Sequence, residues 1–181
     1  MFRTPIRLLV LLAVSFTAIA LAVPAQAAAP YCGITWGSVA KESSAGAGGQ
    51  ITNVRAGRHD CYDRLVIDLR GSAAPYTVKY VNSVTEDPTG FPVALRGGAF
   101  LQITLQSPDH TVDYVPTYRP GNRRELVNVT GFSTFRQVAH AGSFENVTTF
   151  GLGVRARLPF RVFTLNSGGT GRVVVDVAHR W

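Results

Sequence analysis

After its first two dozen residues the chain has no apolar run long enough to cross a bilayer. It is also short of charge: 16% of its 181 residues are charged, against a usual share of roughly a quarter. With 46% hydrophobic residues, that composition argues against disorder and for one packed domain. Several short catalytic signatures are missing: there is no Gly-x-Ser-x-Gly, His-Glu-x-x-His or Cys-x-x-Cys. His59, His110, His140 and His179 are scattered without ligand spacing, so neither a metal nor a cofactor is expected. The net charge of +7 is basic but falls short of a polybasic surface, and nucleic acid is not expected as a partner.

What is present begins with an address. Arg3 and Arg7 precede an almost wholly apolar stretch over 8–23, then Pro24 and the small-x-small site Ala25-Gln26-Ala27. That layout predicts a secretory signal peptide over 1–27, with an uncleaved N-terminal anchor as the alternative. Export would put residues 28–181 outside the cytoplasm, secreted or associated with the cell envelope. No second span follows the leader.

Only two cysteines occur, Cys32 and Cys61. In an oxidising compartment they predict one disulfide, free or intermolecular thiols being the alternative. The bond would pin the strip 31–36 to the body, because 42–50 (ESSAGAGGQ) reads as a flexible linker. The organisation expected is therefore a leader (1–27), a tethered N-terminal segment with linker (28–49) and one domain (50–181).

That domain alternates apolar and polar residues with period two over 51–58, 64–70, 76–81, 100–106, 138–141, 148–154, 160–165 and 172–178. Glycine (18) and proline (10) supply turns between these runs, and 133–137 has room for one helical turn. About eight short strands predict an all-β fold, an antiparallel β-sandwich or else a partly closed β-barrel. The dense string His59-Asp60-Cys61-Tyr62-Asp63 reads as a turn between two of them.

One internal echo stands out. Arg64-Leu65-Val66-Ile67-Asp68 is matched by Arg172-Val173-Val174-Val175-Asp176. Arg at i and Asp at i+4 of a strand point the same way, so copies lying side by side would cross-pair, a solvent-exposed charge ladder being the alternative.

Four strings in order carry a resemblance: Cys32-Gly33-Ile34-Thr35-Trp36-Gly37, His59 to Val66, Pro159 to Leu165, and Arg172 to Val177. Together they resemble the AMIN-like domain of exported actinobacterial proteins, which is named for its similarity to the amidase N-terminal (AMIN) domain. That domain is a β-sandwich found beside cell-wall amidases and in secretins, where it binds peptidoglycan. The resemblance implies a non-catalytic envelope module whose partner is peptidoglycan, another cell-wall polymer or an envelope protein.

The irregular segment 109–124 is aromatic and basic. Tyr114, Tyr118, Arg119, Arg123 and Arg124 combine stacking faces with guanidinium forks suited to sugars and anionic groups. Arg155 and Arg157 add a second basic cluster, which also takes in Arg161. These are the candidate ligand residues, a solvated loop with ordinary surface arginines being the alternative. A carrier of an apolar small ligand between the sheets is the other functional expectation, and it requires a cavity there. Oligomeric state is not legible in the sequence.

Overall fold

A computed structural model describes residues 30–181. The predicted leader and its expected cleavage site lie outside the described residues. Among the described residues nine strands form two antiparallel sheets. In chain order they are β1 (Lys41–Ser43), β2 (Gln50–Arg58), β3 (Tyr62–Arg70), β4 (Tyr76–Val81), β5 (Ala99–Leu105), β6 (Phe135–Phe144), β7 (Val147–Val154), β8 (Phe160–Ser167) and β9 (Thr170–Ala178). One sheet has the order β1-β4-β5-β7-β6 and the other β2-β3-β9-β8. Each sheet keeps two free edges, so the fold is a sandwich and the barrel alternative does not apply.

Alternation decides which face is buried. Leu65, Ile67 and Leu69 of β3, with Val173, Val175 and Val177 of β9, face Leu101, Ile103 and Leu105 of β5 and Phe150, Leu152 and Val154 of β7. Phe135, Phe150 and Phe160 are fully buried between the sheets. Such burial contributes roughly 1.5–3 kcal/mol for each large side chain.

Two expectations change. The stretch read as a linker begins inside β1, which pairs Lys41, Glu42 and Ser43 with Val78, Thr77 and Tyr76 of β4. No helical turn forms at 133–137; β6 starts at Phe135, and a bulge between Phe135 and Gln137 breaks the alternation that marks a strand. The described helical structure is a single 3-10 turn, Tyr31–Gly33.

A loop covers part of the outer face of the five-stranded sheet. Val84 and Val93 pack on Ala139 and Ala141, with Leu95 and Phe100 beside them. Gly151 and Gly153 of β7 make room for it: a Cβ on Gly153 would run into the Arg96 carbonyl, and one on Gly151 would meet Leu95.

The echoing strands are neighbours. β3 and β9 pair with Arg64 opposite Asp176 and Asp68 opposite Arg172. Asp176 is fully buried on the outer face, beneath Arg64 (2.7 Å) and Arg161 (2.8 Å). Asp68 takes Arg55 at 2.8 Å and Arg172 at 3.4 Å. The guanidiniums also stack: Arg161 lies 5.1 Å from the Phe163 ring centre, and Arg64 lies 5.2 Å from that of Tyr62.

The two cysteines are bonded, with Cα atoms 6.4 Å apart. The strip that follows Cys32 sets Trp36 against Tyr62, ring centres 6.0 Å apart. At Gly37 it reaches β8, where its carbonyl accepts the Phe160 N–H at 2.9 Å.

Candidate functional site

Between β5 and β6, residues 106–134 contain no strand, and backbone groups there need other partners. The Ile51 N–H donates to Pro108 O (2.8 Å), and the Thr117 hydroxyl donates to Ile51 O (2.7 Å). The Asp109 carbonyl accepts from the N–H groups of Thr117 and Tyr118. Further along, the chain lies on the free edge of β6. His140 N–H donates to Arg123 O (2.8 Å), Leu126 N–H to Val138 O (2.9 Å) and the Gln137 amide to Arg124 O (2.8 Å). The loop is thus bonded to both sheets.

Its centre is a chain of four side chains. The Asp109 carboxylate holds His110 Nδ1 at 3.0 Å and His140 Nε2 at 2.9 Å. His140 is 3% exposed, and its Nδ1 lies 2.8 Å from an Arg123 guanidinium nitrogen and 3.2 Å from the Gly142 N–H. Arginine and a peptide N–H can only donate, so Nδ1 accepts and Nε2–H points at Asp109. Burial pushes the Asp109 carboxyl up, but hydrogen bonds from His140 and His110 outweigh it and hold the group well below the usual carboxylate range. The carboxylate orients the imidazole, which in turn orients Arg123.

Two clefts adjoin this chain, sharing a wall of Asp109, Pro116 and Ser143. One, of about 290 Å³, is lined by Tyr118, Arg119, Arg123 and His140. The other, of about 470 Å³, is lined by His110, Tyr114, Phe144 and Asn146. In the second, the Tyr114 and His110 rings stack, with centres 5.0 Å apart and an angle of 10°. Tyr114 has φ 59°, a conformation few non-glycine residues adopt, and is 80% exposed. Tyr118 is half-buried against the core, and burial pushes its hydroxyl up to about 12.

The loop therefore brings Tyr118, Arg119 and Arg123 into one cleft and Tyr114 into the next. Arg124 is exposed and lines neither of these two clefts. Arg155 and Arg157 follow β7 at the end remote from its Thr148, the residue whose hydroxyl meets Ser143. There Arg155 donates to His179 O and Arg157 to Ser38 O, and Arg157 lies 4.8 Å from the Tyr80 ring centre. Arg161, close to them in sequence, turns instead to Asp176. His140 and Ser143 carried no sequence signal: nothing in a separation of 31 residues ties His140 to Asp109.

An Asp, a His and a Ser side by side invite comparison with a catalytic triad. The hydrogen bonds oppose it. Both imidazole nitrogens are occupied, and the Ser143 hydroxyl meets Thr148 at 2.9 Å, so His140 has no lone pair to take its proton. Among the described residues no group of three or more His, Cys, Asp and Glu could hold a metal ion, and no helix is long and apolar enough to cross a membrane.

No curated protein and no solved structure matches the chain. The model of one family does, the AMIN-like domain, over residues 49–179. That span runs from the start of β2 past the end of β9 and takes in the whole Asp109–His140 loop. By fold and by this match, the chain belongs to the AMIN-like domain family.

Proposed function

We propose that this protein is a non-catalytic module of the cell envelope that binds peptidoglycan or a related anionic cell-wall polymer. The observation that carries the proposal is the cleft of Tyr118, Arg119 and Arg123, in which one guanidinium is pre-oriented through His140 by Asp109. An aromatic face beside two arginines suits a sugar ring that carries a carboxylate or phosphate. Orienting Arg123 before the ligand arrives lowers the ordering cost of binding. Family membership, the leader-like sequence at 1–27 and the Cys32–Cys61 bond support a site of action outside the cytoplasm. The space between the sheets is filled by Phe135, Phe150 and Phe160, which gives the carrier alternative no support.

The test is sedimentation with purified, insoluble peptidoglycan in physiological salt. The paired variant Arg119→Gln/Arg123→Gln should lose most of the retention. Arg155→Gln/Arg157→Gln, with the same change in net charge at the other end of the sandwich, should keep it. Equal losses would reduce the effect to bulk charge, and no retention of the unaltered protein would reject the proposal.

A further inference from the structure

Sheet edges carry unpaired N–H and C=O groups, and proteins that stay monomeric protect them. Three of the four edges here are protected. β1 is three residues long. β6 carries two bulges and has residues 123–126 bonded along it. β2 is bulged after Ile51, is bonded there by Pro108 and Thr117, and bears Arg55 and Arg58. The fourth, β8, is bonded only over its first residues, by Gly37 at Phe160 and by the Tyr76 hydroxyl at Val162. Its register against β9 is unbroken from Phe160 to Ser167, it contains no proline, and after Arg161 it contains no charge.

The direction of its backbone follows from one bond. Phe160 turns its N–H away from β9, to Gly37 O. Backbone groups alternate sides along an antiparallel strand, so Val162, Thr164 and Asn166 also turn outward. Val162 O takes the Tyr76 hydroxyl at 3.4 Å, while no described residue bonds the outward backbone of Thr164 or Asn166. This open stretch is bounded by the Gly37 bridge at one end and the Gly168-Gly169 turn at the other.

We propose that the β8 edge is a self-association surface. A second copy of the chain pairs its own β8 antiparallel across a two-fold axis at Thr164, joining two four-stranded sheets into one of eight strands. The occupant is a second copy because the strand is complementary to itself reversed. Centring the pair on Thr164 sets Phe163 opposite the second copy's Leu165, covering a side chain that is 46% exposed in the single chain. It sets Arg161 opposite Ser167, so the two arginines stand at opposite ends and like charges do not meet. Moving the axis to Val162 would drive the second strand into Gly37. A single strand pair falls below the roughly 1,200 Å² of standard interfaces, so association belongs in the micromolar range.

The experiment is sedimentation velocity of the protein, purified in the form its host accumulates, over roughly 1–300 μM, with amide exchange followed at both limits. The expected result is a shift from monomer to dimer, with protection of the Thr164 and Asn166 amides rising about tenfold while that of Leu165, bonded into β9, stays constant. Thr164→Pro removes only an outward donor, and Leu165→Lys alters only an exposed side chain. Each should weaken association by at least about tenfold and leave the dilute protein folded by circular dichroism. If the proline variant does not fold, the lysine variant carries the test. A monomer throughout the range would overturn the proposal. So would a dimer indifferent to both changes, or Thr164 protection independent of concentration, which would mean that another segment or a host peptide already covers the edge.

Discussion

The carboxylate of Asp63, on β3 of one sheet, accepts the backbone N–H of Phe135, at the start of β6 of the other, at 3.0 Å. The same oxygen takes the Thr134 N–H at 2.5 Å, and the second oxygen meets His179 Nε2 at 3.2 Å. Asp63 is fully buried, on the inner face that it shares with Leu65 and Ile67. A charged acceptor thus fastens the two sheets where a strand-end backbone would otherwise be unpaired. Asp63→Ala strands two buried donors and should cost about 3 kcal/mol, measured by urea unfolding. Asp63→Asn, which keeps an accepting oxygen, should cost less than half of that.

Asp176 serves two arginines on the outer face, so its removal differs from the loss of an ordinary surface ion pair. Asp176→Asn should destabilise by about 3 kcal/mol, because Arg64 and Arg161 keep their charge and lose their shared partner. Asp68→Asn should cost less, since Arg55 is half-exposed and free to turn to water. Thermal unfolding of the two single variants at one pH checks the order.

Gly153→Ala should cost about 2 kcal/mol and loosen the loop around Arg96, because a methyl group has nowhere to go beneath that carbonyl. Gly121→Ala, with nothing nearby to meet, should be neutral within about 0.5 kcal/mol. Denaturant midpoints together with proteolysis of the loop distinguish the two.

Alkaline pH should weaken the fold before it unfolds it. Burial pushes the Tyr80 and Tyr118 hydroxyls up to about 12 from 10.0. Both folded values lie above the unfolded one, so the unfolded chain loses these protons first and stability falls as pH rises from 10 towards 12. Tyr118→Phe should flatten part of that fall. Tyr80→Phe should do so as well, but at a cost at every pH, since its hydroxyl donates to Leu158 O at 2.7 Å and accepts the Leu158 N–H at 3.0 Å. Urea titrations between pH 8 and pH 12 supply the check.

Cys32→Ala should lower stability by about 3.5 kcal/mol on the loop-entropy model for a separation of 29 residues. Trp36 reports the local consequence: with the tether gone, its fluorescence should shift red as the strip leaves Tyr62.

Much of the sandwich was legible because β5, and β3 with the exception of Val66, bury alternate residues, and alternation is what a sequence displays. The echo of Arg64 and Asp68 in Arg172 and Asp176 also predicted correctly how neighbours would pair if β3 and β9 were adjacent. β1 escaped because three polar residues in a Gly/Ser-rich stretch become a strand only when β4 supplies a partner. The start of β6 escaped because a bulge erases the rhythm at Arg136. At the candidate site, composition singled out Tyr118, Arg119 and Arg123 but could not reveal what orients them. His140 sits between Ala139 and Ala141 and reads as strand interior; only folding brings Asp109 to its ring. Arg155 and Arg161 are neighbours in sequence, yet a turn and a change of sheet part them.

The loop roofing Ala139 and Ala141 gives the sandwich a front and a back. One sheet lies partly under cover, while the other shows the solvent a raft of arginines laid over Asp68 and Asp176. Pairing along β8 would keep those two rafts in one plane facing the same way, doubling a single decorated surface.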